Sequence, residues 1–217
     1  HQLQNPLTIV KNELNSLRKQ LPVNENLTAF EKTIDELSVF VYKLLHLARL
    51  NSGRDEAKMI PIDVSTLIHE MAEYYHVVVL MEHIELVTDI EPHVWLTGDR
   101  EKLSELITNL VSNSMKYMGN VIEGRERKII IGLQKHEDSI VVSVSDTGIG
   151  IKENDMPRIF DRFFRTGNSG HSHTTGTGLG LAIAKRITEL HGGTITANSI
   201  FNKGTSIRVA FPATHNE

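Results

Sequence analysis

Asn109, Asn113 and Lys116 are spaced i, i+4 and i+7, so a helix through them puts two amides and an ammonium on one stripe. Amide oxygens are acceptable ligands for Mg2+, a hard cation that keeps several waters and takes further oxygens from phosphates. Asp146 closes the run Ile140-Val141-Val142-Ser143-Val144-Ser145, which sets a carboxylate at a strand end. Ionised, it only accepts hydrogen bonds, and an exocyclic amine such as that of adenine is a fitting donor. Gly148 and Gly150 behind it permit tight turning and close backbone approach. Gly176, Gly178 and Gly180, with Thr177 and Leu179 between them, stand just ahead of a helical pattern. Backbone N–H groups freed by glycine at a helix N-terminus bind phosphate. The order of glycines is neither G-x-G-x-x-G nor G-x-x-x-x-G-K-[ST], so a nucleotide site here is of another kind. Each feature also has a plain alternative: a wet helix face, an Asp-Thr-Gly turn, a flexible loop.

The elements that would position these residues divide the chain in two. Leu3, Leu7, Val10, Leu14, Leu17 and Leu21 alternate steps of four and three, and after Pro22-Val23-Asn24-Glu25-Asn26 the pattern restarts at Leu27, Phe30, Ile34, Leu37, Val41, Leu44 and Ala48. That repeat is the signature of a coiled coil or bundle, and two such helices around a short loop make an antiparallel hairpin. Phe40, Leu45, Leu47 and Leu50 lie off the seam, so a second copy is the expected partner, in a homodimeric four-helix bundle; a hairpin packed on the chain's own second domain is the alternative. Gly53 is placed as a C-terminal cap, giving a first domain over 1–53 and a second over 54–217.

In the second domain Val64 to about Val79 reads as a helix capped by Asp63 or Ser65. Ile84–Ile90 and Val94–Thr97 read as strands, and Asp99 opens a helix to about Met118. Ile129–Leu133 and Ile140–Ser145 form a hairpin pattern. A helix over about Gly180 to Leu190 and strands near Thr194–Ser199 and Ser206–Phe211 complete a two-layer α/β sandwich with a largely antiparallel sheet. The stretch from Lys152 to Thr175 is irregular and ends small and polar, as a functional loop or lid does. His171 and His173 within it lack a supporting third ligand and read as solvated.

Bulk properties narrow the function. The 217 residues carry a formal charge of −4, which gives no basic field for nucleic acid. Cysteine is absent, removing disulfides and thiolate metal sites. No apolar run reaches the roughly 18 residues of a membrane span. A chain opening on "HQLQNPLT" reads as part of something longer, with any membrane segment upstream.

In sequence order, an Asn-rich helix, Asp-x-Gly-x-Gly, Ile159-Phe160-Asp161-Arg162-Phe163-Phe164-Arg165 and Gly-x-Gly-Leu-Gly-Leu resemble the N, G1, F and G2 boxes of sensor histidine kinases. His1-Gln2-Leu3-Gln4-Asn5-Pro6-Leu7 resembles that family's phosphoacceptor box. The resemblance implies an α hairpin followed by a GHKL (Bergerat) ATP-binding sandwich, acting with ATP and Mg2+ in the cytoplasmic portion of a membrane sensor. It implies autophosphorylation on His1 and transfer to an aspartate of a response regulator receiver domain, with phosphatase activity through Asn5. By the same resemblance Asp146 reads the adenine amine, with Gly148 and Gly150 shaping its pocket. Asn113 holds Mg2+ with Asn109 in support, and Lys116 and Tyr117 lie along the nucleotide. Arg165 meets the γ-phosphate, and Gly176, Thr177, Gly178, Leu179 and Gly180 cradle phosphates. Phe160 and Phe163 anchor the lid in the core.

Three positions sharpen this reading. Gln2 replaces the usual acid after the histidine, and an amide is no base near neutral pH. A kinase-impaired, phosphatase-biased or scaffolding module is therefore the alternative. Asn109 stands where ATP-hydrolysing relatives of this fold carry a glutamate, which disfavours a plain ATPase. Ser114 replaces the usual alanine, a change expected to be neutral.

Overall fold

A computed structural model describes residues 25–53, 57–118, 125–165 and 176–213. His1, Gln2, Asn5, the first leucine seam and the loop histidines His171 and His173 lie outside the described residues. The chain forms two compact units, His1–Asp55 and Glu56–Glu217.

In the first unit one helix, α1, spans Glu25–Ser52. Gly53 follows it with φ +66°, the left-handed conformation that suits glycine at a helix end. The apolar seam is open to solvent in the single chain: Phe30 is 50% and Leu37 43% exposed. The off-seam Leu47 and Leu50 are buried instead. Among the described residues the exposed apolar surface of α1 thus includes seam residues together with Val39 and Tyr42 beside them.

The second unit runs β1 (Ile60–Asp63), α2 (Val64–Met81), β2 (Glu85–Ile90), β3 (Trp95–Gly98), α3 (Arg100–Met118), β4 (Lys128–Lys135) and β5 (Ser139–Asp146). A 3-10 turn (Met156–Arg158), α4 (Gly180–Leu190), β6 (Thr194–Ile200) and β7 (Gly204–Pro212) complete it. The main sheet has the order β2-β4-β5-β7-β6, and β1 pairs with β3 in a small second sheet. All pairs are antiparallel except β2 with β4. A parallel pair requires a crossover connection, and here β3 and α3 lie within it.

Strand alternation makes the sandwich. Ile129, Ile131 and Leu133 of β4, Ile140, Val142 and Val144 of β5, and Ile207, Val209 and Phe211 of β7 are all buried. They share one sheet face because side chains alternate along a strand. The helices bury the matching stripe of Leu67 and Ile68, Leu103, Leu106, Ile107 and Leu110, and Ile183 and Ile187. Each fully buried aliphatic side chain contributes about 1.5–3 kcal/mol, so this single core fixes where the helices sit.

Polar groups fix the helix ends. Asp63 caps α2 by accepting from the Thr66 amide (3.1 Å) and hydroxyl (2.8 Å), and these bonds hold its carboxyl below the usual range. At the start of α3, Asp99 accepts from the amides of Lys102 (3.1 Å) and Lys58 (2.9 Å). Burial pushes the Asp99 carboxyl up, but those amides and the Lys102 ammonium prevail and hold it low. The Asp99 amide itself donates to Nε2 of His191 (3.0 Å), whose Nδ1 lies 2.8 Å from the Ile187 carbonyl oxygen. This requires the neutral ring, protonated on Nδ1. His191 is thus a clamp between the end of α4 and the start of α3.

Candidate functional site

The site is built on α3, on the side that faces the end of β5 and the start of α4. Asn109 is buried, and its Nδ2 donates to the Glu105 carbonyl oxygen (3.0 Å). Its Oδ1 faces Gly180, where an added Cβ would lie 3.3 Å away. Asn113 is half-buried one turn further on. Lys116 reaches back so that its Nζ occupies the space a side chain at Gly176 would need, and it sits 5.0 Å above the Tyr117 ring. The Tyr117 carbonyl oxygen accepts from the Ile149 amide (3.3 Å).

Asp146 ends β5 with its carboxylate turned back across the chain. Oδ1 accepts from the amides of Gly148 (2.9 Å) and Thr205 (3.3 Å), and Oδ2 accepts from the Ser114 hydroxyl (3.0 Å). Burial nevertheless raises the carboxyl above its ordinary value, with these three donors opposing. Gly148 is required by space, since a Cβ there would lie 2.8 Å from Oδ1 of Asp146 and 2.9 Å from the Tyr117 carbonyl oxygen. Gly150 has φ +64° and its missing Cβ abuts the Ile200 carbonyl oxygen, so the turn lies against the β6–β7 hairpin.

Gly176 to Leu179 lead into α4. The Leu179 amide donates to Oγ1 of Thr177 (3.3 Å), Gly178 has φ +68°, and Leu179 is fully buried. The Gly178 carbonyl oxygen accepts from the Phe163 amide (2.9 Å), which joins the glycine box to the Phe box. Phe163 is 51% exposed and itself has φ +64°. The expectation that it anchors in the core is therefore corrected: Ile159 is the buried residue of that segment. A phenylalanine in the left-handed region cannot continue the turn of its neighbours, so its ring leaves the core. Arg165 is exposed at the end of this segment.

The structure thus gathers Asn109, Asn113, Lys116, Tyr117, Asp146, Gly148, Gly176 and Gly180 around the second half of α3. Arg165 closes the segment that the Phe163–Gly178 hydrogen bond joins to the glycine box. Two groups escaped the sequence analysis. Thr205 supplies an amide to Asp146, and Gly204, at φ +131°, leaves room for the Asp146 carbonyl oxygen. A Gly-Thr pair opening a strand after an exposed turn was the available signal. Ser114 was expected to be neutral, yet its hydroxyl is one of three donors to Asp146. Among the described residues no group of three His, Cys, Asp or Glu side chains could hold a metal, and no helix is long and apolar enough to cross a membrane.

Residues 98–215 match the family of histidine kinase-, DNA gyrase B- and HSP90-like ATPases. With that match over more than half its length, the chain belongs to this family and carries its GHKL-type α/β ATP-binding fold.

Within the family its relatives are sensor histidine kinases. It is 29% identical to sensor histidine kinase WalK of Bacillus subtilis over 98% of this chain and 35% of that protein. It is 32% identical to RppB of Synechocystis over 88% of the chain and 41% of RppB, and 31% identical to SenX3 of Mycobacterium bovis over 98% of the chain and 52% of SenX3. The chain therefore spans about a third to a half of these relatives. Among solved structures, the catalytic domain of histidine kinase ThkA superposes with a TM-score of 0.62 at 26% identity, over 73% of this chain and 99% of that one. Full-length ShkA in complex with AMPPNP has the same fold, with a TM-score of 0.79 at 24% identity over all of this chain and 45% of ShkA.

Proposed function

We propose that this chain is the catalytic core of a two-component sensor histidine kinase, with residues 54–217 binding ATP and residues 1–53 forming the dimerisation and phosphoacceptor hairpin. The observation that carries this reading is the convergence on α3. The missing Cβ atoms of Gly148, Gly176 and Gly180 face Asp146 and Tyr117, Lys116, and Asn109 respectively. Boxes dispersed along the chain meet at one cradle of polar groups and open backbone, which suits a nucleoside triphosphate.

Asp146 accepts the exocyclic amine of adenine, and Gly148 and Gly150 let the base approach. Lys116 and the amides of Gly176–Gly180 neutralise phosphate charge, Tyr117 lines the nucleotide, and Arg165 meets the γ-phosphate. The half-buried amide of Asn113 would hold Mg2+, with Asn109 in support, and the ion would supply positive charge against the triphosphate. The neutral imidazole of His1 attacks the γ-phosphorus through a ring nitrogen. The N–P bond forms as the bond to the bridging oxygen of ADP breaks, and the ring proton passes to solvent or a nearby base. The phosphoryl group then passes to an aspartate of a response regulator receiver domain. Asn5 orients water for the reverse, phosphatase, activity. Two copies pair through the open seam of α1, in the cytoplasmic part of a membrane sensor.

Gln2 favours a second reading, a kinase-impaired, phosphatase-biased or scaffolding module, since an amide takes no proton at neutral pH. A GHKL ATPase is disfavoured by Asn109, whose amide is committed to the Glu105 carbonyl oxygen and cannot activate water. Incubation with Mg2+ and γ-labelled ATP separates them. Acid-labile, base-stable label that vanishes in His1→Ala establishes the kinase. Label only in Gln2→Glu establishes the impaired module, and ATP binding without label in any version refutes histidine phosphorylation by this chain.

A further inference from the structure

Ser114 sits on α3 one residue after Asn113, on the side that faces the end of β5. Its side chain is buried, at 3% exposure, so it does not belong to the wet face of the helix. A buried hydroxyl needs a partner, and this one has the Oδ2 atom of Asp146 at 3.0 Å. The pair is separated by 32 residues in sequence. It joins the helix that carries the amide and ammonium groups to the strand end that carries the carboxylate.

The donors around that carboxylate leave little freedom. A carboxylate offers about four acceptor directions, two on each oxygen. Both on Oδ1 are taken, by the Gly148 and Thr205 amides. One on Oδ2 is taken by Ser114. A single direction is left among the described partners, on Oδ2, and its aim is set by the Ser114 bond. With its only proton given to Asp146, Ser114 also cannot offer a competing donor toward a ligand. The backbone amides fix where Oδ1 lies but leave the carboxylate plane free to rock about them. Ser114 removes that freedom and favours the charged form against the burial that opposes it.

We propose that Ser114 is a positioning residue for base recognition: it holds Oδ2 of Asp146 so that the one remaining acceptor direction meets a single N–H of an exocyclic amine. The proposal rests on the reading of Asp146 as the adenine contact, and it names what selects the base at that contact. A purine with a carbonyl at the same position, as in guanosine triphosphate, meets the ionised oxygen with another acceptor and is rejected. Loss of the hydroxyl lets Asp146 take up a proton more readily. A protonated carboxyl presents an O–H where the amine requires an acceptor.

The test uses the whole 217-residue chain and its Ser114→Ala and Ser114→Cys forms, the latter isosteric with only a weak donor. Two readouts are needed: the titration of Asp146 by carboxyl 13C NMR without nucleotide, and the affinity for ATP and GTP between pH 5.5 and 8. In Ser114→Ala the Asp146 titration moves upward. ATP affinity falls by about tenfold on the acid side, the worth of one hydrogen bond to a charged group, with a smaller loss at pH 8. The preference for ATP over GTP narrows, and Ser114→Cys falls between the two. A purely structural role lowers affinity equally at every pH, and that result overturns the proposal. So does an Asp146 titration identical in all three chains, whatever they bind. A titration that shifts in chains that bind no ATP overturns the adenine reading instead, and the role of the pair in base recognition with it.

Discussion

Gly178→Ala tests how the glycine box is coupled to the Phe box. Gly178 has φ +68°, where a residue with a Cβ costs about 1–2 kcal/mol. A Cβ there would also lie 2.8 Å from the Phe163 carbonyl carbon and 2.9 Å from both the Phe163 Cα and the Phe164 carbonyl oxygen. These are backbone atoms and cannot swing aside, so the two segments must part by roughly half an ångström, at a packing cost of about 1–3 kcal/mol. The sum is about 2–5 kcal/mol. Its ceiling in a melting experiment is the free energy of letting the Phe box open locally, so global unfolding under-reports it. The Phe163 amide reports it directly, because that amide donates to the Gly178 carbonyl oxygen. Amide exchange at Phe163 should accelerate by at least roughly thirtyfold, the factor for 2 kcal/mol. Gly192→Ala is the matched control. It shares φ +68°, but the nearest atom to its added Cβ is Pro212 Cγ at 3.8 Å, so only the conformational cost of about 1–2 kcal/mol applies. If Gly178→Ala leaves Phe163 exchange unchanged, or costs no more than Gly192→Ala, the coupling inferred from the overlap is wrong.

Three further outcomes follow from the same geometry. Asp146→Asn should weaken ATP binding by more than about tenfold while keeping or raising the melting temperature without nucleotide. Burial raises the Asp146 carboxyl, so its contribution to stability is present at low pH and lost as pH rises through the folded value; removing the charge helps the empty protein at neutral pH. Asn113→Ala should abolish the gain in ATP affinity that Mg2+ gives the parent, leaving metal-free binding nearly unchanged, as calorimetry with and without the ion would measure. Burial lowers the His191 imidazole below its usual 6.5, and Asp99 and Lys102 are the charged groups that act on it. Stability from the neutral ring is present above 6.5 and lost as pH falls from there through the folded value. A His191→Gln chain should show a correspondingly flatter urea midpoint between pH 7 and 5 than the parent.

What could be read in advance and what could not differ by the range of the interaction. The helix Gly180–Leu190 and the hairpin of β4 and β5 were legible because period and turn residues are local. Asp63 as a cap was legible for the same reason. The parallel pairing of β2 with β4 was not, since nothing local says that Leu86 will lie beside Ile129. The left-handed Phe163 was missed because its backbone contact is with the distant Gly178, and Ile159 is the buried residue of its segment. Nor could the sequence value Ser114, whose partner comes from another strand, or Thr205, which meets Asp146 across 59 residues. Yet the glycines and polar residues that mark the site were visible, because each breaks the apolar pattern of the element carrying it. The site lies where α3, the end of β5 and the start of α4 meet, and its marks are local while its hydrogen bonds are not. Substitutions at the visible positions should therefore remove binding, whereas substitutions at Ser114, Thr205 and His191 should change its pH dependence, its selectivity and the stability of the frame beneath it.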